Sequence, residues 1–452
     1  MTLPFCDFTS YSSHYGPLVR LGVPIIVGNI GHIVLSFADT LMIGRYGMKE
    51  LAAASFVNTL IVLLIIFALG YSLGLTPIVG SRYGRGEKAS IGQVVRQAVV
   101  ANLLLSLLLV AIAVVLCLNI HRMGQPEELL PLMRPFLLVL IVGLPFVCVG
   151  NVFKNFFDVI GETKLTMLVL VMGNVVNIVG NYLLIYGVGP FPELGLVGAG
   201  ISTTVARIFI PLCFVGVLLF RRRYRVYLDS LLHQRREPGI FAQLNRLGWP
   251  SALQTGMETA AFSLTAVFVG WIGTMALAAH QVMITVSQLF YMVYLGIAVA
   301  VSVRVSHFNG QGDHVAIRYT TWAGFHLILL IALMVSVPIV LLRHEIGAWF
   351  TDDASVHLLV AQCVIPLIIY QFGDGMQCTF ANALRGLGCM KPLMYGSFVA
   401  YFVVSLPLSW FWGIYMGWGI VGIWFSFPVC LTVAAVIYYA IFRRRYRVLS
   451  SK

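Results

Sequence analysis

The chain has 452 residues, 59% hydrophobic and 10% charged, with a mean hydropathy of +0.91 and a net charge of +12. Soluble domains carry about 25% charged residues, so this composition excludes an ordinary soluble protein and describes a polytopic membrane protein. The positive balance does not describe a nucleic-acid binder either, because most Lys and Arg sit in short loops on one side of the apolar segments.

Twelve apolar segments follow one another, at 17–43, 51–79, 92–117, 131–157, 163–187, 195–220, 243–271, 278–303, 317–342, 356–385, 390–414 and 418–442. Each is long enough to cross a bilayer. Lipid leaves only helices and closed barrels as viable spans, and barrel-type alternation is missing, so all twelve are read as helices. The start of the chain lacks a basic n-region, and its first apolar segment is too long for a cleavable signal peptide, so none is expected. The eight cysteines are scattered without CxxC or His/Cys clustering and are read as free thiols.

Taken in order, the first segment carries Pro24, His32 and Asp39. The fourth ends near Asp158, which reads as interfacial. The fifth holds Asn174, Asn177 and Asn181 at spacings i, i+3 and i+7. A basic stretch at 221–242 separates the sixth segment from the seventh. The seventh has Pro250 and, from Leu247 to Gly273, one charged residue, Glu258. The tenth carries Tyr370 and Asp374 one turn apart. A carboxylate at mid-bilayer costs about 2.5 kcal/mol or more unless it is compensated, which makes such residues functional candidates.

Basic residues fix the expected orientation. Arg82, Arg85, Lys88, Lys164, Arg221, Arg222, Arg223, Arg225, Arg235, Arg236, Arg385, Lys391, Arg443, Arg444, Arg445 and Arg447 fall on one side. The other side has fewer bases and several acids, among them Glu127, Glu128, Glu193, Asp352 and Asp353. By the positive-inside rule both termini are expected in the cytoplasm.

The chain also repeats itself. At an offset of 226, RLGVP at Arg20–Pro24 lies on RLGWP at Arg246–Pro250, and Gly70 lies on Gly296. At 227, Phe153 and Asn155 lie on Phe380 and Asn382. FRRRYRV occurs at Phe220–Val226 and again at Phe442–Val448. Two six-helix bundles are expected, 1–220 and 243–452, joined by a cytoplasmic basic linker at 221–242. Six is even, so both halves enter the membrane alike, and a binding cavity is expected between them near the midplane. The repeat sets Glu258 on His32 and Asp39 on Thr265, so the halves share a scaffold and differ in charge.

Glu258 with Tyr370 and Asp374 offers hard oxygen ligands for a small cation, or a proton site, since two nearby carboxylates raise the proton affinity of one. Basic partners in the spans are few, Lys154 and Arg207. In the first half, Asn177 and Asn181 are expected to face Asp39. Pro24 and Pro250 remove a backbone donor from matching positions, and Pro24 is read as a hinge whose bend responds to protonation of Asp39.

These features together resemble the multidrug and toxic compound extrusion (MATE) family, in its NorM-like branch, over nearly the whole chain. They are carried by SFADTLMIG with Asp39, NVVNIVGNYLLIYG, GLVGAG, Glu258, and YQFGDGMQCTFANALRGLG with Tyr370 and Asp374. The resemblance implies a V-shaped, two-bundle antiporter that expels cationic amphipathic compounds against inward Na+ or H+. It matches Glu258, Tyr370 and Asp374 to a cation site, with Na+ on Glu258 and Asp374. It matches Asp39, Asn177 and Asn181 to a second cation or proton site. Another branch carries Asp where Asn181 stands, which weakens transfer of a purely proton-driven mechanism, and the acidic pair tilts the reading toward Na+. No cofactor and no nucleic acid are expected. The bilayer, the coupling ion and small cationic substrates are the partners, and a monomer is expected. The rivals are a lipid-linked-precursor flippase, which would line its path with bases, and a major-facilitator exporter. An intramembrane enzyme is disfavoured, because FGDG at Phe372–Gly375 lacks a correctly spaced partner aspartate and HExxH is absent.

Overall fold

The computed structural model describes residues 8–233, 237–351 and 353–451; Arg235, Arg236 and Asp352 lie outside the described residues. Among these residues there are helices and no strands. Eleven helices are long and apolar enough to span a membrane. Ile240–Ile272 is the twelfth: its 33 residues reach ~50 Å, but Gln254, Thr255, Glu258 and Thr259 lower its hydropathy.

We number these helices α1 Phe8–Tyr46, α2 Met48–Ser72, α3 Lys88–Leu118, α4 Leu130–Val159, α5 Thr163–Ile185, α6 Gly195–Phe220, α7 Ile240–Ile272, α8 Thr274–Gln311, α9 His314–Leu341, α10 Ala354–Gly386, α11 Met390–Tyr415 and α12 Gly419–Ser450. After a break at Leu73 and Gly74, α2 is carried on by Leu75–Gly84. Within α11, Phe398–Ser405 and Phe411–Tyr415 are π-helical around Pro407, whose ring nitrogen cannot donate to the ladder. Asp313 and Asp353 cap α9 and α10, accepting from Ala316 N at 2.9 Å and Ser355 N at 2.8 Å.

Packing divides the chain into two units, Met1–Ile26 with Leu253–Lys452, and Val27–Ala252. The crossings fall inside α1 and α7, two residues beyond Pro24 and Pro250, at positions that the 226-residue offset superposes. The duplication thus has one boundary, in the linker, and the packing has two, inside helices.

The first half of α1 belongs to the unit that contains α8 to α12. Tyr15 Oη pairs with His326 Nδ1 and His14 Nδ1 with Thr320 Oγ1, each at 2.9 Å. The first half of α7 belongs to the other unit, where Tyr71 Oη donates to Asn245 Oδ1 at 2.8 Å. The stretch after α6 is folded rather than a free linker. Arg225–His233 forms a short helix whose Tyr227 and Ser230 are buried. Burial pushes the Tyr227 phenol up to about 12, so it stays neutral. Glu237 takes both Arg82 Nη2 contacts, at 2.8 and 2.9 Å, and accepts from Gln93 Nε2 at 2.9 Å.

Candidate functional site

In the unit holding α8 to α12, α7 supplies Glu258 and α10 supplies Tyr370 and Asp374. Asp374 is 2% exposed, and its Oδ2 has no hydrogen-bond partner. Glu258 is partly buried and close enough for its charge to act on Asp374. The Tyr370 ring packs against Trp424 and Phe427, with centroids 6.3 Å away in both cases, and both carboxylates act on it electrostatically. The structure therefore gathers the three residues singled out in this half around one buried, net-acidic spot.

Three further residues complete that spot. Gln254 Nε2 donates to Glu258 Oε2 at 3.2 Å, and Arg385 Nη2 donates to Gln254 Oε1 at 2.5 Å. Tyr401, on a π-helical turn of α11, donates its hydroxyl to Glu258 and accepts from Gln377 Nε2 at 3.0 Å. Arg385, counted above among the orientation-setting bases at a segment end, lies inside α10 and is buried. The i, i+4 spacing of Gln254 and Glu258 was the available sequence signal; Tyr401 had none, because a π turn shifts the helical phase.

The other unit holds the second cluster. Asn181 Nδ2 donates to Asp39 Oδ1 at 2.5 Å and to Asn177 Oδ1 at 3.1 Å, and Asn181 Oδ1 is buried without a partner. Asn177 thus meets Asp39 only through Asn181, and it is itself held by Thr203 and Ser202. Arg207 exerts its charge on Asp39 while donating to Leu140 O at 3.3 Å. Asp158, one residue from the end of α4, is 2% exposed and paired with Lys154 at 2.9 Å. Pro24 is buried within α1.

No group of three or more His, Cys, Asp or Glu residues converges among the described residues. Two carboxylates with tyrosine and amide oxygens do not make a tight transition-metal cage. They are hard donors that suit a monovalent ion or a proton.

A MatE family model matches the chain twice, at residues 24–183 and 250–411. The chain belongs to the MatE family. The two MatE matches begin at Pro24 and Pro250, the same 226-residue offset found within the sequence, and they contain Asp39, Asn177, Asn181, Glu258, Tyr370 and Asp374. MatE proteins are membrane transporters, not enzymes. Similar MatE proteins include the multidrug resistance protein NorM of Photobacterium profundum, 28% identical over 95% of both chains. NorM of Vibrio cholerae is 28% identical over 94% of both. Among solved structures, MATE in the bent conformation superposes with a TM-score of 0.88 at 20% identity, covering 98% of this chain and 97% of that one. The eukaryotic MATE transporter AtDTX14 gives 0.87 at 18%, covering 97% and 99%.

Proposed function

We propose that this MatE protein is a multidrug exporter that expels cationic amphipathic organic compounds in exchange for inward Na+ or H+. The names of the NorM relatives support multidrug export. The observation that carries the coupling is Asp374, a buried carboxylate with an unpartnered oxygen beside a second carboxylate, Glu258. Such a pair needs a cation or a proton to offset its charge, so occupancy by one competes with an organic cation. Asp39, with Asn177 and Asn181, is the second acidic position where a coupling ion or proton binds. Competition at these carboxylates gives the two transport states the differential affinity that alternating access requires. On this reading the spans lie in a bacterial inner membrane with both termini cytoplasmic, and the transporter works as a monomer.

Ethidium efflux from proteoliposomes under imposed Na+ or pH gradients tests it. Glu258→Gln and Asp374→Asn should each cut ion-driven efflux at least about tenfold. Undiminished efflux in both variants would remove the coupling role of this pair.

A further inference from the structure

Arg385 is 9% exposed, and no carboxylate pairs with it directly among the described residues. Its Nη1 donates to Asn382 Oδ1 at 3.3 Å, and its Nε is buried without a partner. Its shortest contact is with Gln254, whose amide faces both ways. The Gln254 oxygen is held by Arg385 at 2.5 Å, which turns its NH2 onto Glu258 at 3.2 Å. The guanidinium thus reaches Glu258 through one fixed amide, and its charge acts on that carboxylate.

The repeat gives an independent observation. The 227-residue offset that lays Asn155 on Asn382 lays Asp158 on Arg385, just as Glu258 lies on His32. The polarity is reversed between the halves, and in the first half the buried acid has its own partner, Lys154, at 2.9 Å. A positive charge at position 385 is therefore not a demand of the shared helical scaffold. It accompanies the carboxylate pair that the second half alone carries.

We propose that Arg385 is a positioning residue, the internal counter-ion of Glu258 relayed through Gln254, and that it sets how tightly the Glu258/Asp374 pair holds the coupling cation. This rests on the ion-coupled reading above. With Arg385 in place, part of the pair's negative charge is already offset, and an arriving Na+ or proton binds weakly enough to leave again. Without it, the pair holds its ion more tightly and gives it up more slowly.

The test reconstitutes wild type, Arg385→Gln, Arg385→Lys and Gln254→Met and follows ethidium efflux against Na+ at fixed pH and against pH at fixed Na+. Arg385→Gln should lower the half-saturating concentration of the driving ion about tenfold, with a reduced maximal rate. Arg385→Lys should keep half-saturation near wild type, and Gln254→Met should shift it in the same direction as Arg385→Gln but by less. An unchanged half-saturation in Arg385→Gln, whatever its maximal rate, overturns the proposal, as does an equal shift in Arg385→Lys. If Arg385→Gln does not yield monodisperse protein, Gln254→Met decides alone, and no shift there overturns the proposal. Wild-type efflux indifferent to both ions removes the coupling reading itself, an outcome distinct from normal wild-type coupling with unshifted variants.

Discussion

Charges in the middle of apolar segments were legible in the sequence, and charges near segment ends were not. Glu258, Asp374 and Asp39 stand out because apolar residues surround them along the chain. Asp158 read as interfacial and Arg385 as an orientation-setting base because both stand at segment ends, and their burial is set by residues distant in sequence. Both are buried, and Asp158 makes a specific ion pair with Lys154. Removing one partner of a buried pair leaves the other charge without compensation. Lys154→Met should therefore destabilise the protein by about 3–5 kcal/mol. Adding Asp158→Leu should recover most of that loss, because an apolar replacement of the whole pair is close to neutral. Thermal unfolding in detergent checks both: an unaltered Tm in Lys154→Met would mean that the pair contributes nothing to stability.

Twelve segments were readable from hydropathy because the bilayer leaves few alternatives to a helix. Their inner irregularities were not, since a break or a π turn depends on what packs beside it. FRRRYRV shows this with identical residues. At Phe220–Val226 the helix stops, Arg221 is extended and Arg222–Tyr224 is a 3-10 turn. There Arg223 pairs with Glu162 at 2.7 Å, and the Tyr224 ring meets Phe157 at 5.5 Å. At Phe442–Val448 the same seven residues continue α12, with Tyr446 stacked on Phe442. Close helix contacts follow the same logic. A Cβ on Gly74 would sit 2.7 Å from the backbone nitrogen of Gly248, whereas one on Gly216 would meet nothing within 4 Å. Backbone at that distance must shift, and open space asks for no shift. Gly74→Ala should cost at least ~1 kcal/mol, and Gly216→Ala, in a helix interior, should be neutral or stabilising. The two Tm values, measured side by side, check the order, and a larger loss in Gly216→Ala would refute it.

At the scale of the whole molecule, the sequence carried the duplication but not the way packing divides the chain. Pattern matching sees ancestry, and it placed one boundary in the linker. The packing units instead change inside α1 and α7, next to Pro24 and Pro250. Each proline lacks the N–H that would bond the carbonyl four residues earlier, on Arg20 or Arg246, so each helix is missing a backbone bond just before it passes from one unit to the other. On both sides of these points the helices are anchored. Tyr15 and His14 hold α1 within one unit, Asn245 holds α7 within the other, and the acids Asp39 and Glu258 lie beyond the prolines. A bend at either point would change the angle between an anchored half and an acid-bearing half without disturbing the core of either unit. Pro24→Ala and Pro250→Ala should therefore restore a backbone bond, stiffen the helix and leave stability equal or higher. Initial efflux rates should fall several-fold in each variant and further in the double variant, while equilibrium ethidium binding holds near wild type. Rates equal to wild type in the double variant, with binding intact, would reduce both prolines to static kinks.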